Sequence, residues 1–164
     1  MKKNRKTMPV LYLTHGAIIA ALYVVLTILF VPLSFGEIQV RIAEALTILP
    51  LFTPAAIPGL FVGCIIGNLI GGALPPDVIF GSLATLIGAF GTYLLRKRNP
   101  ILCTLPPIIS NTLIIPLILR FAYGIPLSIP FLMFTVGLGE VASCLGLGVV
   151  LYFLLQRYRQ VIFQ

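Results

Sequence analysis

The 164-residue chain holds four acids, Glu37, Glu44, Asp77 and Glu140, and each lies inside or beside an apolar run. A carboxylate at mid-membrane depth costs roughly 2.5–3.5 kcal/mol, so an embedded one is a candidate for function. With the amides of Asn68 and Asn111 and the guanidinium of Arg41, these acids form a donor and acceptor set suited to gripping a small polar molecule. They suit catalysis poorly. A metal-dependent phosphotransferase wants several clustered Asp, and the chain has one. A protease wants Ser and His at one depth, whereas Ser82 and His15 are expected at opposite membrane faces. Cys64, Cys103 and Cys144 lie far apart in apolar segments without a C-x-x-C pair, as small buried hydrophobes do. No enzyme activity, cofactor or metal is expected, and His15, the sole histidine, reads as interfacial.

Each candidate also has a structural reading. Glu140 shares a helix face with Ser143 and Cys144 at i+3 and i+4, and could instead pair with Arg120 or a backbone donor. Glu44 opens a short helix, where Arg41 could form an ion pair with it or with Glu37. Asn68 could serve an interhelical hydrogen bond. Asp77 follows two prolines and could cap a helix. Asn111 and Ser110 could satisfy carbonyls freed by proline. Phe35, Phe121 and Tyr123 could stack on a ring or anchor at the interface.

The elements that must position these residues are membrane helices. The chain is 59% hydrophobic and 9% charged, with mean hydropathy +1.11. That composition excludes an ordinary soluble globule and a disordered chain. Apolar runs over 10–31, 42–53, 55–70, 78–95, 101–119 and 129–155 predict an all-α polytopic fold of six transmembrane helices, in one integral membrane domain over 1–164, with a short or broken second helix. The first run is too long for a signal-peptide core and reads as a retained span. Counting 42–70 as one span would place Arg96, Lys97 and Arg98 opposite the N-terminal Lys2, Lys3, Arg5 and Lys6. Counting it as two puts nine of the eleven cations on one side. The positive-inside rule therefore selects six spans with both termini cytoplasmic, and it argues against nucleic acid as the reason for the +7 charge. On that topology all four acids fall at the outer ends of spans or in outer loops. With Arg41 and Arg120 the outer half is net −2, which favours a cationic or donor-rich ligand.

Small residues form stripes. Gly59, Gly63, Gly67 and Gly71 line one face of the third span, and Gly81, Ala84, Thr85, Gly88 and Thr92 one face of the fourth. Both suit close helix packing. Ala17 and Ala21 lie at i, i+4 on the first.

Three runs carry a resemblance: 38–50 (IQVRIAEALTILP), 56–68 (AIPGLFVGCIIGN) and 77–86 (DVIFGSLATL). Together they resemble the QueT family, the queuosine-precursor substrate-binding (S) components of energy-coupling factor transporters. The likeness is densest over 10–98, with Gly139-Glu140 also similar. It implies six helices, an outward pocket covered by the loop after the first helix, and partners: a transmembrane coupling (T) component and two cytoplasmic ATPase subunits. It implies that the first-helix alanines Ala17 and Ala21 meet the T component. No G-x-x-x-x-G-K-[ST] is present, so ATP hydrolysis belongs to a partner. A deazaguanine base offers adjacent N–H donors for a carboxylate and acceptors for an amide or guanidinium. Glu140, Asn68, Glu44, Asp77, Asn111 and Arg41 are the ligand-binding candidates. The competing functions are an S component for another vitamin or heterocycle and, less favoured by the residues, a membrane-embedded enzyme or a channel.

Overall fold

A computed structural model describes residues 7–34 and 40–162. Lys2, Lys3, Arg5, Lys6, Phe35 and Glu37 lie outside the described residues. The described chain is helical, with no strand among those residues, and its helices group into six. These are α1 (Thr7–Leu29), α2 (Ile42–Leu51), α3 (Ala56–Ile70), α4 (Asp77–Leu94), α5 (Pro100–Phe121) and α6 (Ile129–Arg159). A single turn at Val31–Ser34 follows α1. Helices α1, α4, α5 and α6 are long and apolar enough to cross a membrane, while α2 and α3 are shorter apolar helices.

Contacts along the bundle fix the direction of each helix. Glycines 59, 63 and 67 of α3 face Gly16, Ala20 and Thr27 of α1 in that order, so the two helices run parallel. A Cβ on Gly63 would lie 2.8 Å from the Tyr23 Cβ and 2.9 Å from the Ala20 carbonyl oxygen, so only glycine permits this approach. The Tyr12 hydroxyl donates to the Pro54 carbonyl (3.4 Å), which places the α2–α3 turn at the start of α1. The other end of α2 reaches the start of α4 through Arg41 and Asp77. Residues 42–70 therefore traverse the bundle twice, and the six helices alternate in direction.

Helix α2 makes its traverse in ten residues because it is a 3₁₀ helix. At about 2.0 Å rise per residue it spans roughly 20 Å, where an α-helix of equal length would span about 15 Å. Its sequence fits a period of three. Ala43, Leu46 and Leu49 line up and join the core cluster with Ile19, Tyr23, Leu60 and Cys64. Arg41, Glu44 and Thr47 form a second line, which is polar. Ala45 and Ile48 meet Gly148 of α6 on a third side. Every residue from Ala43 to Pro50 is buried, as expected of a segment too short to face lipid alone.

Helices α4 and α5 pack as closely as α1 and α3: a Cβ on Gly88 would meet Pro107 at 2.6 Å, and one on Gly91 would meet Pro106 at 2.5 Å. Both glycine-rich stripes are thus consumed by packing inside the bundle. A second apolar cluster, Ile115, Ile118, Leu119, Leu132 and Val136, joins α5 to α6. The Phe52 and Tyr152 rings, 5.4 Å apart, bring the end of α2 to the lower half of α6. The start of α1, the α4–α5 loop with Arg96, Lys97 and Arg98, and the end of α6 with Arg157 and Arg159 consequently share one end of the bundle. Asp77, Arg120 and Tyr123 mark the other.

Candidate functional site

Polar groups buried in the bundle form two connected layers. The upper one centres on Asp77 at the start of α4. The Arg41 Nη2 donates to both Asp77 carboxylate oxygens, at 3.3 and 3.2 Å, and the pair is buried. The Tyr123 hydroxyl donates to Asp77 Oδ2 (3.1 Å) and accepts from the Leu74 amide (3.1 Å). The Asn68 amide donates to the Asp77 carbonyl (3.3 Å). Asp77 opens a π-helical turn, Asp77–Gly81, that leads into the α-helix. A Cβ on Gly81 would stand 2.6 Å from Asp77 Oδ1, so the glycine makes the room in which the carboxylate lies.

The lower layer is built around Glu44 and Glu140. On Glu44, Oε1 accepts from the Tyr23 hydroxyl and from Thr85 Oγ1 (2.9 Å). The Cys144 thiol lies 3.3 Å from Glu140 Oε2 and 3.5 Å from both the Glu44 carbonyl and Thr47 Oγ1. Carboxylate and thiol ligand atoms of Glu44, Glu140 and Cys144 all fall within 4.8 Å of one another. Asn111 of α5 stands beside Glu140. Glu140 ends the first α-helical stretch of α6, and the next seven residues, Val141–Leu147, form a π-helical segment before the α-helix resumes at Gly148. A π turn widens the helix by a residue and sets Ser143 and Cys144 beside Glu140.

Several buried polar atoms here have no hydrogen-bond partner among the described residues: Glu44 Oε2, Ser143 Oγ and, higher on α4, Ser82 Oγ. Leaving such groups unpaired is costly, so they are the atoms a ligand would satisfy. They comprise a carboxylate acceptor and two hydroxyls that can donate or accept. Two carboxylates this close repel when both are ionised, and a ligand cation or N–H edge between them removes the repulsion. Glu44, Glu140 and Cys144 also have metal-ligand donors, but Glu44 Oε1 already serves Tyr23 and Thr85.

The structure thus places all six candidate ligand residues in one polar interior, with corrections to their roles. Arg41 pairs with Asp77 rather than Glu44, because the 3₁₀ path of α2 carries it to the head of α4. Arg120 donates to the Ile125 carbonyl (3.0 Å) and is no partner of Glu140. The N-cap position of α4 falls to Pro76, and Asp77 stands one residue on, in the first turn, with its carboxylate taken by Arg41 and Tyr123. Glu44 and Glu140 sit deeper than the outer ends of spans, since Glu44 meets Tyr23 and Thr85 well inside α1 and α4. The Tyr123 hydroxyl is engaged by Asp77 and Leu74, and Phe121 is 77% exposed on the bundle surface. Tyr23, Thr47, Thr85 and Cys144 join the site unanticipated as its members. The period-three line Arg41, Glu44, Thr47 was the available signal for Thr47. Ala17 and Ala21 are exposed on α1, whereas Gly16 and Ala20 turn toward α3.

With this geometry in view, the comparisons with known proteins are decisive for the family. A family model described as QueT transporter matches residues 13–157. The chain belongs to that family. It is 40% identical over 73 residues to the queuosine precursor transporter QueT of Lactococcus lactis subsp. cremoris (strain MG1363). That match covers 43% of this chain and 43% of the relative, so the chain is aligned to less than half of the curated relative's length. No solved structure matches the chain. Membership and the apolar helices make this a membrane protein of a transporter family.

Proposed function

We propose that the chain is the high-affinity substrate-binding subunit of an energy-coupling factor transporter, and that its substrate is a queuosine precursor, a deazaguanine base. The observation that carries this reading is the Glu44–Glu140 pair, buried together with unpaired acceptor and donor atoms around it. An amino-pyrimidinone edge presents adjacent N–H donors to one carboxylate, Asn111 donates to a ring acceptor, and a cationic arm, where the precursor has one, meets the other carboxylate. Asp77 and Arg41 hold the upper wall, with Asn68 and Tyr123 locking them.

The family membership supports transport, and the named relative supports the precursor as cargo. The sequence carries no phosphate-binding loop, and the family resemblance supports energy supply by other chains: a T component, met by the exposed Ala17 and Ala21 face, and two ATPase subunits. The protein lies in the cell membrane as a multi-pass protein, with the Arg96–Arg98 end and both termini cytoplasmic.

The test is titration of purified protein with deazaguanine bases by calorimetry. The expected Kd lies below about 1 µM, roughly −8 kcal/mol. Glu140→Gln should weaken binding about tenfold or more while the protein still purifies folded, since a neutral amide accepts a less strongly charged hydrogen bond. Absence of saturable binding by any deazaguanine would overturn the assignment.

A further inference from the structure

At the end of the bundle opposite Asp77, a cavity of about 740 Å³ opens between the start of α5 and the last turns of α6. Its rim is polar, with Asn99, Gln156 and Arg157, and its walls are apolar, with Ile101, Val149 and Phe153. The Asn99 side chain accepts from the Ile101 amide through Oδ1 (3.0 Å), which leaves its NH2 to donate to a ligand. Among the described residues no ion pair engages Arg157, Lys97 or Arg98; the ion pair is that of Arg41 with Asp77. Lys97 and Arg98 stand exposed in the loop immediately before Asn99. The described acids, Glu44, Asp77 and Glu140, are all buried in the polar layers away from this end, so no acid among the described residues neutralises these cations.

We propose that this cavity binds one anionic phospholipid. The phosphate sits between Arg157 and the Asn99 amide, with Lys97 and Arg98 supplying further positive charge. An acyl chain lies along Ile101, Val149 and Phe153. Charge complementarity selects the anion, and the apolar walls select a lipid over a free phosphate. A basic pocket between membrane helices beside the headgroup layer is the general form of such a site. The assignment is independent of what the Glu44–Glu140 site binds.

The test uses the full chain in detergent, delipidated and followed by native mass spectrometry. Phosphatidylglycerol and phosphatidylcholine with identical chains are titrated separately. A single phosphatidylglycerol is expected to stay bound, at least fivefold more tightly than phosphatidylcholine. Arg157→Gln should weaken phosphatidylglycerol about fivefold, the weight of one cation beside an anionic headgroup. Val149→Trp, which fills the cavity, should weaken both lipids while deazaguanine titration remains as in the parent chain. Equal binding of the two lipids, or unchanged phosphatidylglycerol binding in both variants, would overturn the proposal. Displacement of phosphatidylglycerol by millimolar inorganic phosphate would also overturn it, in favour of a plain anion site. If Arg157→Gln abolished assembly with the ATPases and left lipid binding intact, the face would be a protein interface instead.

Discussion

Asp77 shows how much one buried charge organises. Its carboxylate takes both bonds from Arg41 and one from Tyr123, its carbonyl takes one from Asn68, and Gly81 vacates the space for it. Removing one member of a buried pair costs about 3–5 kcal/mol, because the counter-charge stays behind in a low-dielectric interior. Asp77→Leu is therefore expected to lower the Tm in detergent sharply. The double variant Arg41→Met with Asp77→Leu should recover most of that loss, since two apolar side chains replace a fully desolvated pair. Failure of the double variant to recover would mean that the Asp77 carboxylate is needed chiefly by Tyr123. Glu44 and Glu140 differ from Asp77 in kind. Their neighbours include buried atoms with no hydrogen-bond partner among the described residues, and on the proposed reading a ligand meets those atoms.

At the scale of elements, α1 divides its surface between two uses. Gly16, Ala20 and Tyr23 lie against α3, while Ala17 and Ala21 look outward. The double variant Ala17→Leu with Ala21→Leu should leave ligand binding unchanged and impair assembly with the coupling protein at least tenfold in a pull-down titration. Gly63→Leu is the control for the buried side: it should unfold the α1–α3 contact and lose ligand binding, because its Cβ alone would already strike Tyr23 and Ala20. Intact assembly in the double variant would reassign that face to lipid. The 3₁₀ helix α2 carries Arg41, Glu44 and Thr47 on one line toward the polar interior, and two π turns, at Asp77 and after Glu140, aim the facing groups. Irregular helix at membrane depth is tolerated where it is buried in protein, and all three irregular segments meet at the polar layers.

For the whole molecule, charge is sorted by end. Arg96, Lys97, Arg98, Arg157 and Arg159 share one end, and the described acids lie away from it. The proposed topology, which rests on the positive-inside rule, puts this end in the cytoplasm. Cys64, Cys103 and Cys144 are buried, so a cysteine introduced at 97 can be labelled selectively. In right-side-out cells Lys97→Cys should resist an impermeant maleimide and react fully after permeabilisation. Labelling in intact cells would invert the topology.

Composition, charge clusters and apolar run lengths were enough to determine an all-helical membrane protein of six segments, because hydropathy and the positive-inside rule act on local stretches of chain. The glycine stripes announced close packing because the lack of a Cβ is written in the residue type, while the helix that fills the space is a tertiary matter. The sequence also named Arg41, Glu44, Asn68, Asp77, Asn111 and Glu140 as polar groups too costly to bury idly. Partners are a different matter. That Arg41 belongs to Asp77, that Glu44 faces Glu140 and Cys144, and that Tyr23 and Thr85 join them were decided only in three dimensions. The 3₁₀ rise of α2 and the π turns of α4 and α6 shift helical register by fractions of a turn, and an α-helical period of 3.6 cannot anticipate which side chains those shifts bring face to face.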